Sequence, residues 1–237
     1  VVRVRYAEGP KCLSVRQVEG QSQVVLHGSA EKVCTFDQVF DEESTQQEVF
    51  ESVGKPLCEH ALAGYNTTIF AYGQTGAGKT HTMHGPTSPA EARGLVPRVM
   101  EHLFELQALA ERQSELRCHC VASYLEIHNE TVIDLLDSGG TLGSNARAPC
   151  RVREDVVRGI FVENIREEVL RSPEDALRLL ATGSANRQVG STAMNRESSR
   201  SHSVLTVSLR AEREGEAGLR SVRCSAFNLV DLAPYSP

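Results

Sequence analysis

The sequence predicts an α/β domain with a largely parallel or mixed sheet. Three observations carry that class. Segments of strand character alternate with segments of helical period, as in chains that cover a sheet with helices. A short apolar strand at residues 67–72 runs directly into a glycine-rich loop at 73–80, with a helix expected after it. No internal repeat or low-complexity tract interrupts the alternation.

Short β-rich pieces come first, at residues 1–6, 12–18, 23–27 and 33–36. A helix should follow, because Ser44-Thr45-Gln46-Gln47-Glu48 offers two overlapping capping boxes, Ser44 to Gln47 and Thr45 to Glu48. Val49, Val53, Leu57 and Ala61 recur every four residues as one apolar stripe, and Gly64 should end that helix. After the 67–72 strand and its loop, residues 86–93 read as a surface connection, 95–112 as a helix and 116–128 as a long strand. Gly139, Gly140, Gly143, Ser144 and Asn145 make a flexible link. Ser172-Pro173-Glu174-Asp175 is a strong helix start, with an N-cap serine, proline in the first turn and acids at the positive end of the dipole. That helix should stop near Gly183 or Gly190. Residues 204–209 and 222–232 read as the last two strands, and Pro234-Tyr235-Ser236-Pro237 can continue neither a strand nor a helix.

Composition bounds the function classes. The 237 residues are 40% hydrophobic and 24% charged, ordinary for a soluble globular chain with a sizeable core. No apolar run approaches the roughly 18 residues that cross a bilayer, and no secretory leader pattern opens the chain. A start at Val1 rather than Met suggests an excerpt of a longer protein. The net charge of −6 argues against a blanket basic surface for nucleic acid. Residues 1–150 hold 12 Lys/Arg against 19 Asp/Glu, a net −7, whereas residues 151–237 hold 13 against 12, a net +1. Seven cysteines occur without a C-x-x-C pair. Strand alternation sends Cys118 and Cys120 to one face and His119 to the other, which is unsuited to zinc. Buried or partly buried free thiols in a reducing compartment are expected.

The chemistry sits in three clusters. Gly73-Gln74-Thr75-Gly76-Ala77-Gly78-Lys79-Thr80 fits G-x-x-x-x-G-K-(S/T) without a mismatch. A polyphosphate needs inward N–H donors with no Cβ in the way, which the three glycines allow. Lys79 would reach the β- and γ-phosphates and the Thr80 hydroxyl would ligate Mg²⁺. A chance glycine-rich turn is disfavoured by the strand before the loop, and a dinucleotide fingerprint fits the order of glycines less well. The second cluster is Asn195-Arg196-Glu197-Ser198-Ser199-Arg200-Ser201-His202. It is readable as a polar turn, yet its hydroxyls and arginines suit a nucleotide switch. The third is Phe227-Asn228-Leu229-Val230-Asp231-Leu232, where Asp231 closes an apolar strand as the acid that orients magnesium-bound water does.

Together these residues resemble the kinesins. Residues 64–83, from Gly64-Tyr65-Asn66 through the loop to His81-Thr82-Met83, are similar to the kinesin P-loop block nearly letter for letter. Asn195 to His202 matches the N-x-x-S-S-R-S-H of switch I, and Leu229-Val230-Asp231-Leu232-Ala233 matches the start of switch II. Ser123-Tyr124-Leu125-Glu126-Ile127-His128-Asn129-Glu130, with Asp134-Leu135-Leu136, resembles another family block, and Met194 to Ser199 leans toward the class-twelve spindle kinesins.

The resemblance implies a P-loop NTPase motor core: a mixed central sheet with helices on both faces, over residues 1–233. It implies ATP and Mg²⁺ as cofactors, microtubules (tubulin) as partner, no nucleic acid or membrane, and a location on the cytoplasmic cytoskeleton, the spindle included. The full protein would be a dimer or higher oligomer. Gly73, Gln74, Thr75, Gly76, Ala77, Gly78, Lys79 and Thr80 would hold the phosphates. Arg3, Arg5 and His81 would lie against the adenine, although Tyr6 stands where the family's R-x-R-P motif has proline. Thr80 and Ser199 would ligate the metal, Asn195 and Ser198 would position the attacking water, and Arg200 would pair with the switch II glutamate.

The family's switch II reads D-L-A-G-x-E, whereas this chain reads Asp231-Leu232-Ala233-Pro234-Tyr235-Ser236. Residues 234–237 therefore read as an unrelated tail, with the C-terminal part of the motor missing. On that reading residues 1–6 would lack a proper sheet neighbour and the P-loop strand would keep an unpaired edge. Two rival readings stand beside the motor: a shortened non-motor module that binds nucleotide or a partner, and another P-loop NTPase with chance likeness at the switches.

Overall fold

The structure, a computed structural model, describes residues 1–5, 12–28, 30–114, 116–137, 149–156, 159–193, 201–214 and 220–233. The chain divides into two compact units, Val1–Val49 and Phe50–Pro237.

In the first unit, β1 (Val2–Arg3) pairs in parallel with β5 (Val39–Phe40). Residues 2–3 thus have a strand neighbour, correcting the expectation that the N-terminal strand would lack one. Three antiparallel strands follow: β2 (Leu13–Val18), β3 (Gln21–Leu26) and β4 (Lys32–Phe36). The β2–β3 turn places Glu19 and Gly20 at φ of 50° and 80°, the sign that a tight two-residue hairpin turn requires. Helix α1 (Gln46–Val49) starts on one of the two capping boxes. The Thr45 N–H donates to Glu48 Oε2 at 2.7 Å and the Glu48 N–H to Thr45 Oγ1 at 3.2 Å. Ser44 instead donates its hydroxyl to Asp41 Oδ1 at 2.8 Å.

The second unit opens with a π-helical turn, Phe50–Gly54, that leads into α2 (Lys55–Leu62). This turn corrects the four-residue stripe. A π turn spends an extra residue per hydrogen-bonded ring, so the buried positions become Phe50, Gly54, Cys58 and Ala61, while Val53 and Leu57 are half-buried. Gly54 is used for contact: a Cβ there would lie 2.7 Å from the Phe50 ring and 3.2 Å from Val99. Gly64 ends α2 as expected, at φ 101° with the Tyr65 N–H donating to the His60 carbonyl at 3.0 Å.

The main sheet has the order β11 (Glu168–Leu170), β7 (Leu116–His128), β12 (His202–Glu214), β13 (Arg220–Asp231), β6 (Thr67–Ala71). β8 (Thr131–Asp134) also pairs with β7, and β9 (Arg151–Asp155) and β10 (Gly159–Glu163) form a separate hairpin. Only β6 and β13 run parallel, so the sheet is mixed. The P-loop strand β6 stands at the sheet's end, with Phe70 and Tyr72 exposed. The last two strands start earlier or run longer than sequence pattern implied, because β12 and β13 pair over twelve residues each. Burial alternates along residues 202–211 and 225–231. Ser203, Leu205, Val207, Leu209 and Ala211 face inward on β12, and Ser225, Phe227, Leu229 and Asp231 on β13.

Helix α4 (Leu95–Ser114) packs on α2 and on the buried face of β7. Helix α5 (Pro173–Ala193) begins where expected, with the Asp175 N–H donating to Ser172 Oγ at 3.2 Å. It does not stop at Gly183 or Gly190. Gly183 is a point of close approach, because a Cβ there would lie 2.2 Å from Tyr124 of β7. Two thiols also depart from expectation: Cys12 and Cys224 are exposed, while Cys58 and Cys120 are buried and all seven are free. Burial pushes the Cys58 and Cys120 thiols up to about 12. Among the described residues no helix is long and apolar enough to cross a membrane. Residues 138–148, 194–200 and 234–237, which hold the glycine link, most of switch I and the tail, lie outside the described residues.

Candidate functional site

The loop after β6 turns through Gly76 and Gly78 at φ of 79° and 93°. A residue with a Cβ would be strained there by about 1–2 kcal/mol each. Gly78 is the N-cap of the short helix α3 (Lys79–Met83) and supplies no side-chain cap. A Cβ on Gly73 would come within 3.1 Å of the Ala77 Cβ. The glycines thus make a narrow loop lined by main chain, suited to an anion that needs close N–H donors. Gln74 closes a local turn by accepting the Ala77 N–H at 3.1 Å. Thr75 and His81 are exposed. The Lys79 ammonium bends over its own loop, donating to the Gly73 and Gln74 carbonyls at 2.7 and 3.0 Å.

The loop meets the end of β13 at one bond. Thr80 Oγ1 donates to Asp231 Oδ2 at 2.7 Å, across 151 residues of sequence. Asp231 is 3% exposed, and its Oδ1 has no hydrogen-bond partner among the described residues. A buried carboxylate oxygen without a donor is costly. An oxygen pair of this kind, one hydroxyl and one half-satisfied carboxylate, suits a hard cation such as Mg²⁺ held partly through water.

Behind Asp231 lies a charged row that follows from strand register. Ser203 of β12 pairs with Asp231 of β13 on one side and Glu126 of β7 on the other. All three side chains therefore point into the same buried face. Arg187 of α5 crosses this row. Its Nε donates to Glu126 Oε1 at 3.2 Å, its NH1 to Ser203 Oγ at 3.3 Å and its NH2 to the Ser201 carbonyl at 3.0 Å. NH1 stands 3.7 Å from Asp231 Oδ2. The Ser201 hydroxyl donates a short hydrogen bond to the same Glu126 Oε1. The next inward residue of β7, Tyr124, is hydrogen-bonded to Ser203 and stacks on His84, with ring centroids 6.4 Å apart. Burial, reinforced by Arg187 and opposed by Asp231, holds the His84 imidazole below its usual pKa. Burial raises the Tyr124 phenol, against the pull of Arg187 and Ser203.

Gly73 to His81 and Asp231 are thus brought to one place. Arg3 and Arg5 belong to the first unit, where the Arg3 guanidinium donates to Gln46 Oε1 at 2.6 Å and to the Ser44 carbonyl at 3.2 Å. Asn195, Ser198, Ser199 and Arg200 lie outside the described residues. Sequence reasoning did not assign Glu126, Arg187, Ser203, Tyr124 or His84 to the site, and it placed Ser201 in the switch I cluster without a role of its own. One signal was present: Glu126 continues the inward series Cys120, Ala122, Tyr124, and a charge on an apolar face requires a partner.

The family model of the kinesin motor domain matches residues 6–235. The chain belongs to the kinesin motor-domain family. This kinesin domain is 47% identical over 216 residues to the kinesin-like protein KIN-12B of Arabidopsis thaliana, covering 86% of this chain and 16% of that protein. It is 43% identical over 235 residues to the kinesin-like protein KIF15 of Homo sapiens, covering 94% of this chain and 16% of the relative. The solved structure of a fast kinesin, described for its ATPase mechanism and interactions with microtubules, superimposes with a TM-score of 0.87 at 31% identity. That match covers 98% of this chain and 64% of the solved one. The chain therefore spans under a fifth of these two curated relatives and under two thirds of the solved kinesin. The class-twelve leaning of residues 194–199 agrees with the relatives' names.

Proposed function

We propose that this chain is the nucleotide-binding part of an ATP-driven microtubule motor, working on the cytoskeleton and the spindle. The observation that carries the reading is the 2.7 Å bond from Thr80 to Asp231, which closes a complete phosphate loop against the acid of the partner strand. Family membership supports the same reading, the solved fast kinesin is described for its interactions with microtubules, and the curated relatives are longer proteins.

Gly76 and Gly78 let the main chain approach the β-phosphate, and Lys79 exchanges two loop carbonyls for phosphate oxygens. Mg²⁺, when bound, would neutralise charge that develops on the phosphates. Thr80 and Ser199 would hold it through their hydroxyls, and Asp231 would accept from water bound to it. Asn195 and Ser198 would position the attacking water, Arg200 would pair with the glutamate that the family carries in switch II, where this chain has Ser236, and Arg3, Arg5 and His81 would lie against the adenine. Catalysis is by positioning and electrostatics, with no covalent step. Residues 1–233 form the motor part and residues 234–237 a separate tail. Microtubule-stimulated ATPase tests this in a domain that also carries the family's C-terminal motor part, since residues 1–237 by themselves, with Pro234 for the switch II glycine, are expected to show none. In that domain stimulation should disappear in Lys79→Ala, and ATPase unchanged in that variant would sink the assignment. Ser199→Ala should lose hydrolysis more than binding, and Arg200→Ala should lower stimulated turnover more than ATP affinity. A rise in KM with kcat intact in both would contradict these roles.

A second reading is favoured by one residue. Pro234 occupies the position of the family's switch II glycine, and proline has no N–H to offer a γ-phosphate. A nucleotide-binding module without turnover would show saturable ATP binding and no stimulation by microtubules.

A further inference from the structure

Asp231 has a basic neighbour in Arg187. Arg187 is 11% exposed, and its contacts to Glu126, Ser203 and Ser201 draw it away from Asp231. At 3.7 Å, Arg187 NH1 is too far from Asp231 Oδ2 for a hydrogen bond, although nothing but side-chain geometry keeps the two apart. Guanidinium and carboxylate in a buried site gain strongly by closing into a direct pair. Something must oppose that closure, and Glu126, 8% exposed, is the carboxylate placed to do so.

We infer that Glu126 is a positioning residue which restrains Arg187, and so keeps the Asp231 carboxylate available to a divalent cation. The inference rests on the proposed MgATP site and adds to it a named competitor for the metal. Removing the Glu126 charge leaves Asp231 as the only carboxylate of the row facing Arg187. The guanidinium then closes on Asp231 Oδ2, the oxygen that accepts from Thr80, and draws the carboxylate away from the metal's water shell. The contact between Ser201 and Glu126 adds the end of switch I to the same restraint.

The test is the Mg²⁺ concentration needed for binding of a fluorescent ADP by the full chain. Glu126→Gln should raise the midpoint about tenfold, the factor carried by one charge-assisted hydrogen bond. Nucleotide affinity in EDTA should stay unchanged. Adding Arg187→Gln to that variant should bring the midpoint back to within about twofold of the unaltered chain, because the competitor is gone. A Glu126 that served only folding would leave the double variant at least as impaired, and that result overturns the inference. Ser203→Ala loosens the same NH1 and should shift the midpoint the same way by roughly threefold, which keeps the test open if Glu126→Gln does not fold. An unshifted midpoint in Ser203→Ala and Glu126→Gln also overturns it. Nucleotide binding that ignores Mg²⁺ in the unaltered chain would overturn the nucleotide-site reading and this inference with it.

Discussion

The phosphate loop and the charged row behind it serve one site by opposite means. The loop is eight consecutive residues, half-buried or exposed; the Lys79 contacts reach no more than six residues along the chain, and Thr80 alone reaches across it, to Asp231. The row takes residues from β7, α5, β12 and β13, and its bonds join positions 61 and 75 residues apart. Lys79 can trade its carbonyls for phosphate oxygens at little cost, because both sets of acceptors lie in or near water. Arg187 and Glu126 have no such exchange, since a buried charge that loses its partner keeps the full desolvation penalty. Binding groups can be built locally and stay adaptable, whereas the groups that orient Asp231 must be fixed by the tertiary fold.

Five substitutions can break or sharpen that contrast. Lys79→Ala should have the largest effect on function, lowering MgATP affinity and turnover at least about a hundredfold while leaving stability within roughly 0.5 kcal/mol. Titration calorimetry beside a urea melt reads both. If Lys79→Ala unfolds the domain, the loop is not the adaptable partner described. Arg187→Ala should do the reverse, costing about 3–5 kcal/mol in urea denaturation because Glu126 is left buried and unpaired. The same truncation at the exposed pair Arg153–Glu163 should cost under about 1 kcal/mol. Equal losses at the two pairs would remove the distinction. Gly183→Ala pushes a methyl into Tyr124 and should cost about 1–3 kcal/mol, read as a lower thermal midpoint. Tyr124→Phe should be smallest, near 1 kcal/mol for one hydrogen bond to Ser203. A neutral Tyr124→Phe would show that Ser203 is held by Arg187 alone.

What could be read from sequence follows the same division. The loop's chemistry is contiguous, so glycine spacing and the Lys-Thr pair announced it. Gly64 and the Thr45–Glu48 box were legible because a cap is written within four residues. The π turn at Phe50–Gly54 was not, since a one-residue slip in hydrogen bonding has no composition of its own and moves the apolar stripe. Gly183 was misread as a stop because a glycine that admits a tyrosine ring looks the same in sequence as one that turns a chain. Nothing in the sequence joined Arg187 to Glu126, which the order of β7, β12 and β13 sets in one row.

The pairing of Ser203 with Asp231 has a consequence of phase. The strand that leaves switch I and the strand that enters switch II are adjacent rungs of one ladder, and the Ala233 N–H reaches back to His202 Nδ1 at 3.0 Å. Side chains on such a ladder have only two settings, in or out. A slip of β12 by one residue against β13 would turn Ser203 outward while Asp231 stayed inward, and would break the Arg187 row at its middle. The two switches are therefore held in step by counting: only an even offset keeps Ser203 and Asp231 on one face.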